Sequence, residues 1–128
     1  MKKPAFFSWL GVTQYLTVNA VFKTLQEISA LAPGSEIVFE YTVLDSLLNK
    51  EDQKMLAMFK VGSAVRGEPW LSQFDPDSLA AKLKDLGFAE VLDFGPEEAN
   101  TRYFSGRTDG LHTLRMPHLM KASVGGTL

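Results

Sequence analysis

The chain has 128 residues, with 13 Lys and Arg against 15 Asp and Glu, a formal net charge of -2 and a pI of about 5.6. Apolar residues at 45% and charged residues at 22% exclude a disordered chain; the lack of cysteine excludes disulfides, thiolate catalysis and any cysteine-ligated zinc site. The slight acidic excess gives no electrostatic footprint for nucleic acid or an anionic membrane, so neither is an expected partner.

One domain, residues 1–128, is expected, because a chain of this length buries roughly two-thirds of its unfolded surface. The apolar stretch after Met1-Lys2-Lys3 is short. It gives way to polar Thr13-Gln14-Tyr15 with no small-residue cleavage site, so it does not read as a signal peptide. No segment reaches the roughly 18 apolar residues of a membrane span, and a cytoplasmic location is expected.

Phe6 to Val12 reads as a strand, apolar at nearly every position, with Gly11 permitting a bend. Thr17 is a candidate N-cap for a helix whose stripe is Val18, Val21, Phe22, Leu25, Ile28 and Leu31, and Pro33-Gly34 stops it. Glu36–Val43 is a second strand. Asn49, with Asp52 three residues on, opens a helix to about Val65. Its Met55, Leu56, Met58, Phe59 and Val61 are expected to fill core space. After Gly67-Glu68-Pro69-Trp70, the segment Asp75-Pro76-Asp77 combines a cap, a first-turn proline and a first-turn negative charge. Leu79, Leu83 and Leu86 share one face of that helix, and Gly87 ends it. Phe88–Phe94 is a third strand, Pro96 starts a short helix to about Phe104, and Thr108-Asp109-Gly110 is a turn. His118–Val124 is a fourth strand, followed by a short Gly-rich tail. Strands alternating with helices indicate a layered α/β sheet.

The chemical motifs are mostly negative. There is no Gly-x-Gly-x-x-Gly, no Gly-x-x-x-x-Gly-Lys and no Gly-x-Ser-x-Gly. His112 and His118 flank Pro117 and share no regular face, so no metal site is expected. Glu97-Glu98 and Asp75/Asp77 sit in first turns, where the helix dipole explains them without catalysis. No catalytic residue is assigned. Trp9, Tyr15, Trp70 and Phe74 fall at strand ends or in loops, where open α/β sheets bind ligands.

Two stretches carry a resemblance. Phe7-Ser8-Trp9-Leu10-Gly11-Val12-Thr13-Gln14-Tyr15-Leu16-Thr17 and Leu31-Ala32-Pro33-Gly34-Ser35-Glu36-Ile37-Val38-Phe39-Glu40-Tyr41 resemble the leucine carboxyl methyltransferase-like family, class I enzymes that use S-adenosylmethionine. Gly67-Glu68-Pro69-Trp70, Phe74-Asp75-Pro76, Leu86-Gly87-Phe88 and the final His-Leu-Met-Lys-Ala strand fit its bacterial members. The resemblance covers nearly the whole chain but only the family's C-terminal half. It implies an open, mostly parallel sheet of about four strands in the family order 4-5-7-6, the last strand antiparallel, with helices on both faces. It also implies that the glycine-rich cofactor motif and the ribose-binding acid are missing. Leu10 stands where the family has a Glu that contacts the cofactor. Trp9, Tyr15 and Trp70 match positions that resemble substrate-pocket residues.

The resemblance thus implies a truncated O-methyltransferase-like domain, inactive alone, that meets S-adenosylmethionine only if the missing half is supplied. The alternative is a non-enzymatic dimeric module that binds a small molecule or a protein on the former substrate surface. A dimer that rebuilds a crude cofactor site across its interface is a third reading. In each case Phe6–Val12 becomes an exposed sheet edge, with Phe6, Phe7, Ser8, Trp9 and Leu10 as edge candidates for a homodimer.

Overall fold

A computed structural model describes residues 3–99, 101, 102, 106 and 116–125. The proposed turn at Thr108-Asp109-Gly110, His112, the reach of the last helix to Phe104 and most of the Gly-rich tail lie outside the described residues.

Strand β1 spans Phe6–Trp9, β2 Glu36–Thr42, β3 Phe88–Phe94 and β4 Pro117–Val124. Helix α1 spans Val18–Ser29, α2 Lys50–Val65, α3 Pro76–Asp85 and α4 Pro96–Ala99. The sheet order is β1-β2-β4-β3. β1 pairs parallel with β2, and β4 pairs antiparallel with both of its neighbours. Three strands therefore run the same way and β4 is inserted against them, as the family order 4-5-7-6 requires.

The local signals act as read. Thr17 accepts a hydrogen bond from the Ala20 amide at 3.1 Å, Asn49 from Asp52 at 2.8 Å and Asp75 from Ser78 at 2.9 Å. Each cap satisfies one of the amides that a helix start leaves unpaired, an effect of about 1 kcal/mol. Strand β1 is shorter than the apolar run Phe6–Val12 suggests. Gly11 adopts φ +67° and turns the chain away, and its amide donates to Glu40 Oε1 at 3.1 Å.

The core lies on one face of the sheet. Alternation along β2 points Ile37, Phe39 and Tyr41 inward, and their partners on β4 continue that face through Met120 and Ala122. Val21, Leu25 and Ile28 of α1 and Leu79 and Leu83 of α3 pack into the same cluster. The sequence reading put helices on both faces, whereas these two helices share one. The reason is topological. The crossovers β1-α1-β2 and β2-α3-β3 both advance the same way along the sheet, and right-handed crossovers advancing the same way place their helices on the same side. On the other side Phe6 and Leu92 are well exposed.

Helix α2 departs from expectation. Leu56 is fully buried, but Met55, Met58, Phe59, Val61 and Val65 are all exposed rather than in the core. Its apolar residues are spread around the helix, so they cannot all be turned inward together. A polar tie holds it to the preceding turn instead: Asp45 accepts from Lys60 Nζ of α2 at 3.0 Å and from Gln73 Nε2 at 2.5 Å. The Gln73 bond, then Lys60, hold the Asp45 carboxyl below the usual range.

Candidate functional site

β1, β2 and β3 end on the side where β4 begins, which makes this the carboxyl edge at which open α/β sheets take ligands. A cavity of about 420 Å³ opens there. Val43, Leu47, Leu48, Pro76 and Pro96 supply its apolar wall, and Asn49, Asp52, Asp93, Glu97, Glu98 and His118 its polar wall.

Beneath that wall lies a hydrogen-bonded cluster. Tyr41 and His118 are direct partners in the β2–β4 register, while Asp93 comes from the end of β3. The Tyr41 hydroxyl donates to Asp93 Oδ1 at 2.6 Å. Asp93 Oδ2 lies 3.0 Å from His118 Nδ1. One carboxylate thus accepts from both partners, which assigns the proton of the neutral imidazole to Nδ1. Burial, and then the bond to Asp93, push the Tyr41 hydroxyl well above the ordinary tyrosine range, so it stays a donor at any ordinary pH. Gly95 packs against the ring: an added Cβ would sit 3.0 Å from His118 Cε1 and 3.0 Å from Glu98 Oε2.

The residues singled out from the sequence form a second group beyond the end of β1. Trp9 is half-buried, faces Phe39 in the β1–β2 register and packs on the core. Tyr15 lies at the end of a short 3-10 turn and is partly exposed. Trp70 stacks at 6.4 Å on Phe59. Their segments are tied together: the Leu71 amide donates to the Gln14 carbonyl, the Ser72 hydroxyl to the Thr13 carbonyl, and the Thr13 hydroxyl to the Glu40 carbonyl. Trp9, Tyr15 and Trp70 are not among the residues that line the 420 Å³ cavity. Phe74 belongs to the core, edge-on to both Phe22 and Tyr41. Phe6, Phe7, Ser8 and Trp9 do form an edge strand, with Phe6 and Leu10 well exposed.

The cluster of Tyr41, Asp93 and His118 escaped the sequence reading. Its one signal there is a polar residue at a core-facing position near the end of three otherwise apolar strands. Among the described residues no group of three or more His, Asp or Glu side chains is arranged to hold a metal ion.

With the geometry in place, the chain can be set beside known proteins. No family model matches the chain. A Bacillus subtilis (strain 168) protein named "Putative S-adenosyl-L-methionine-dependent methyltransferase YktD" is 29% identical over 118 residues, which are 91% of this chain and 39% of that protein. The chain is thus similar to part of a protein named as an S-adenosylmethionine-dependent methyltransferase. Solved structures carry the same fold. The methyltransferase SibL in its apo form matches with a TM-score of 0.60 over 98% of this chain and 33% of its own, at 10% identity. Human N-acetylserotonin methyltransferase in complex with SAM matches with a TM-score of 0.56 over 94% and 29%, at 14% identity. The chain spans about two-fifths of the length of its curated methyltransferase relative.

The described residues at the end of β1 do not fit the usual cofactor contacts for S-adenosylmethionine. The sequence holds no glycine-rich phosphate or dinucleotide loop, and Leu10 offers no acceptor. Glu40 is a carboxylate at that corner, and its Oε1 accepts from the Gly11 amide. No helix among the described residues is long and apolar enough to cross a membrane.

Proposed function

We propose that this chain is the acceptor-side half of an O-methyltransferase-like protein, inactive by itself, whose carboxyl-edge cavity is the former substrate surface. The observation that carries the reading is the sheet order β1-β2-β4-β3 with its reversed β4, in a chain that matches 39% of a methyltransferase relative. S-adenosylmethionine enters only when another polypeptide segment supplies the cofactor half. Trp9, Tyr15 and Trp70 then line the seam between the halves.

A second reading is favoured by one observation, the open β1 edge with its exposed Phe6 and Leu10. An edge presents unpaired backbone groups to any extended strand. Two copies joined across β1 would bury it and make a dimeric binding module in the cytoplasm, with no nucleic-acid or membrane partner.

Complementation tests the first reading. The part of YktD outside the matched region is produced separately and mixed with this chain. A stoichiometric complex that retains labelled S-adenosylmethionine on gel filtration is expected. A chain that ignores that part and remains a tight homodimer would overturn it in favour of the binding module.

A further inference from the structure

The cavity at the carboxyl edge carries a more specific statement, one that rests on reading it as the acceptor side. His118 Nδ1 is taken by Asp93, and no described residue bonds the other ring nitrogen. The ring lines the cavity, and only 16% of the side chain is exposed. It cannot swing freely, because Gly95 lies against its Cε1–Nδ1 edge and Tyr41 packs at a ring-centroid distance of 5.6 Å. A neutral imidazole with Nδ1 protonated offers Nε2 as an acceptor. The carboxylates of the polar wall, Asp52, Asp93, Glu97 and Glu98, are acceptors too, and Asn49 alone among its polar side chains carries an amide donor. Such a wall asks its ligand for a donor, and a carboxylate ligand would be seated among like charges.

We propose that this cavity binds a small neutral hydroxyl compound by a hydrogen bond from its O–H to His118 Nε2, with Asp93 and Tyr41 as the positioning residues that fix the imidazole. The apolar wall of Val43, Leu48 and Pro76 takes the ligand's carbon frame. About 420 Å³ lies within the range of small-molecule sites and accommodates a single substituted ring. The acceptor is thereby a hydroxyl rather than a carboxylate.

The test is nitrogen NMR on the full chain with labelled histidine, using phenol, anisole and benzoate as probes. The chain has two histidines, and His118→Gln assigns the signals. In the free chain His118 is expected to show the Nδ1-protonated tautomer. Phenol shifts its Nε2 saturably, and anisole, which lacks the donor, does not at equal concentration. Asp93→Asn loses the tautomer preference and weakens phenol binding about tenfold, the effect of losing one charged hydrogen bond. Tyr41→Phe, which removes the bond to Asp93 Oδ1 but leaves the His118–Asp93 bond, keeps the tautomer while weakening phenol binding severalfold; it serves if Asp93→Asn does not fold, and unchanged phenol binding would remove Tyr41 as a positioning residue. A proton on Nε2 in the free chain, equal responses to phenol and anisole, or tighter binding of benzoate would each overturn the proposal. None of these readouts involves S-adenosylmethionine, so failure of complementation is scored separately.

Discussion

The Tyr41 hydroxyl reaches across the width of β4 to Asp93 Oδ1, 2.6 Å away, although 52 residues separate the two in sequence. This bond ties the two strands that flank β4 at the carboxyl edge, and it places a fully buried phenol against a carboxylate. Its pH signature is definite. The folded-state value of Tyr41 lies above its unfolded value of 10.0. The stability it contributes is complete below about pH 10, where both states hold the proton, and is lost as pH rises toward the folded value. Between pH 10 and 11.5 the wild type should lose up to about 1.4 kcal/mol per pH unit more than Tyr41→Phe. Denaturant midpoints of the two proteins over that range check it, and parallel curves would contradict it.

At Gly95 an added Cβ would press on His118, 3.0 Å from Cε1 and 3.3 Å from Nδ1. Gly95→Ala should displace the ring or Glu98 while leaving the distant core intact. The expected result is a shifted His118 signal with thermal stability reduced by about 1–3 kcal/mol, the usual effect of overpacking. Unmoved signals from both His118 and Glu98 would show that neither side chain packs against Gly95.

Trp70 Nε1 is buried with no hydrogen-bond partner among the described residues. A buried unsatisfied donor costs about 1–3 kcal/mol, and replacing it by carbon removes that penalty. Trp70→Phe is therefore expected to change stability by no more than about 1 kcal/mol, despite the loss of ring area. A loss above about 3 kcal/mol by chemical denaturation would mean that the indole is satisfied by another group.

The open edge has a direct test. On the binding-module reading, sedimentation equilibrium should return twice the 14.2 kDa chain mass, and Phe6→Lys should return the single mass. Phe6 is 66% exposed, so the substitution leaves the core untouched. A wild-type monomer at tens of micromolar would remove the homodimer from the account.

Much of the fold was legible because its signals are local. Thr17, Asn49 and Asp75 cap the helices that follow them, Gly87 takes the positive φ that ends α3, and Ile37, Phe39 and Tyr41 alternate inward. What was illegible depends on register. Asp93 and His118 meet only after β3 pairs with β4, with a shift between Phe88 and Glu90 that no local pattern announces. Helix α2 misled for a related reason. Methionines at helical spacing look alike whether or not a sheet lies beneath them, and here Met58 is 73% exposed.

The central claim is that this half of a methyltransferase fold holds no cofactor site of its own. Calorimetric titration of S-adenosylmethionine into the purified chain tests it most directly. No binding heat is expected at protein concentrations of about 100 μM, inside the roughly 1 μM–1 mM range in which enzymes ordinarily hold their substrates. A saturable heat at one site per chain, or one per two chains, would contradict it and place a rebuilt site within the chain or across a dimer.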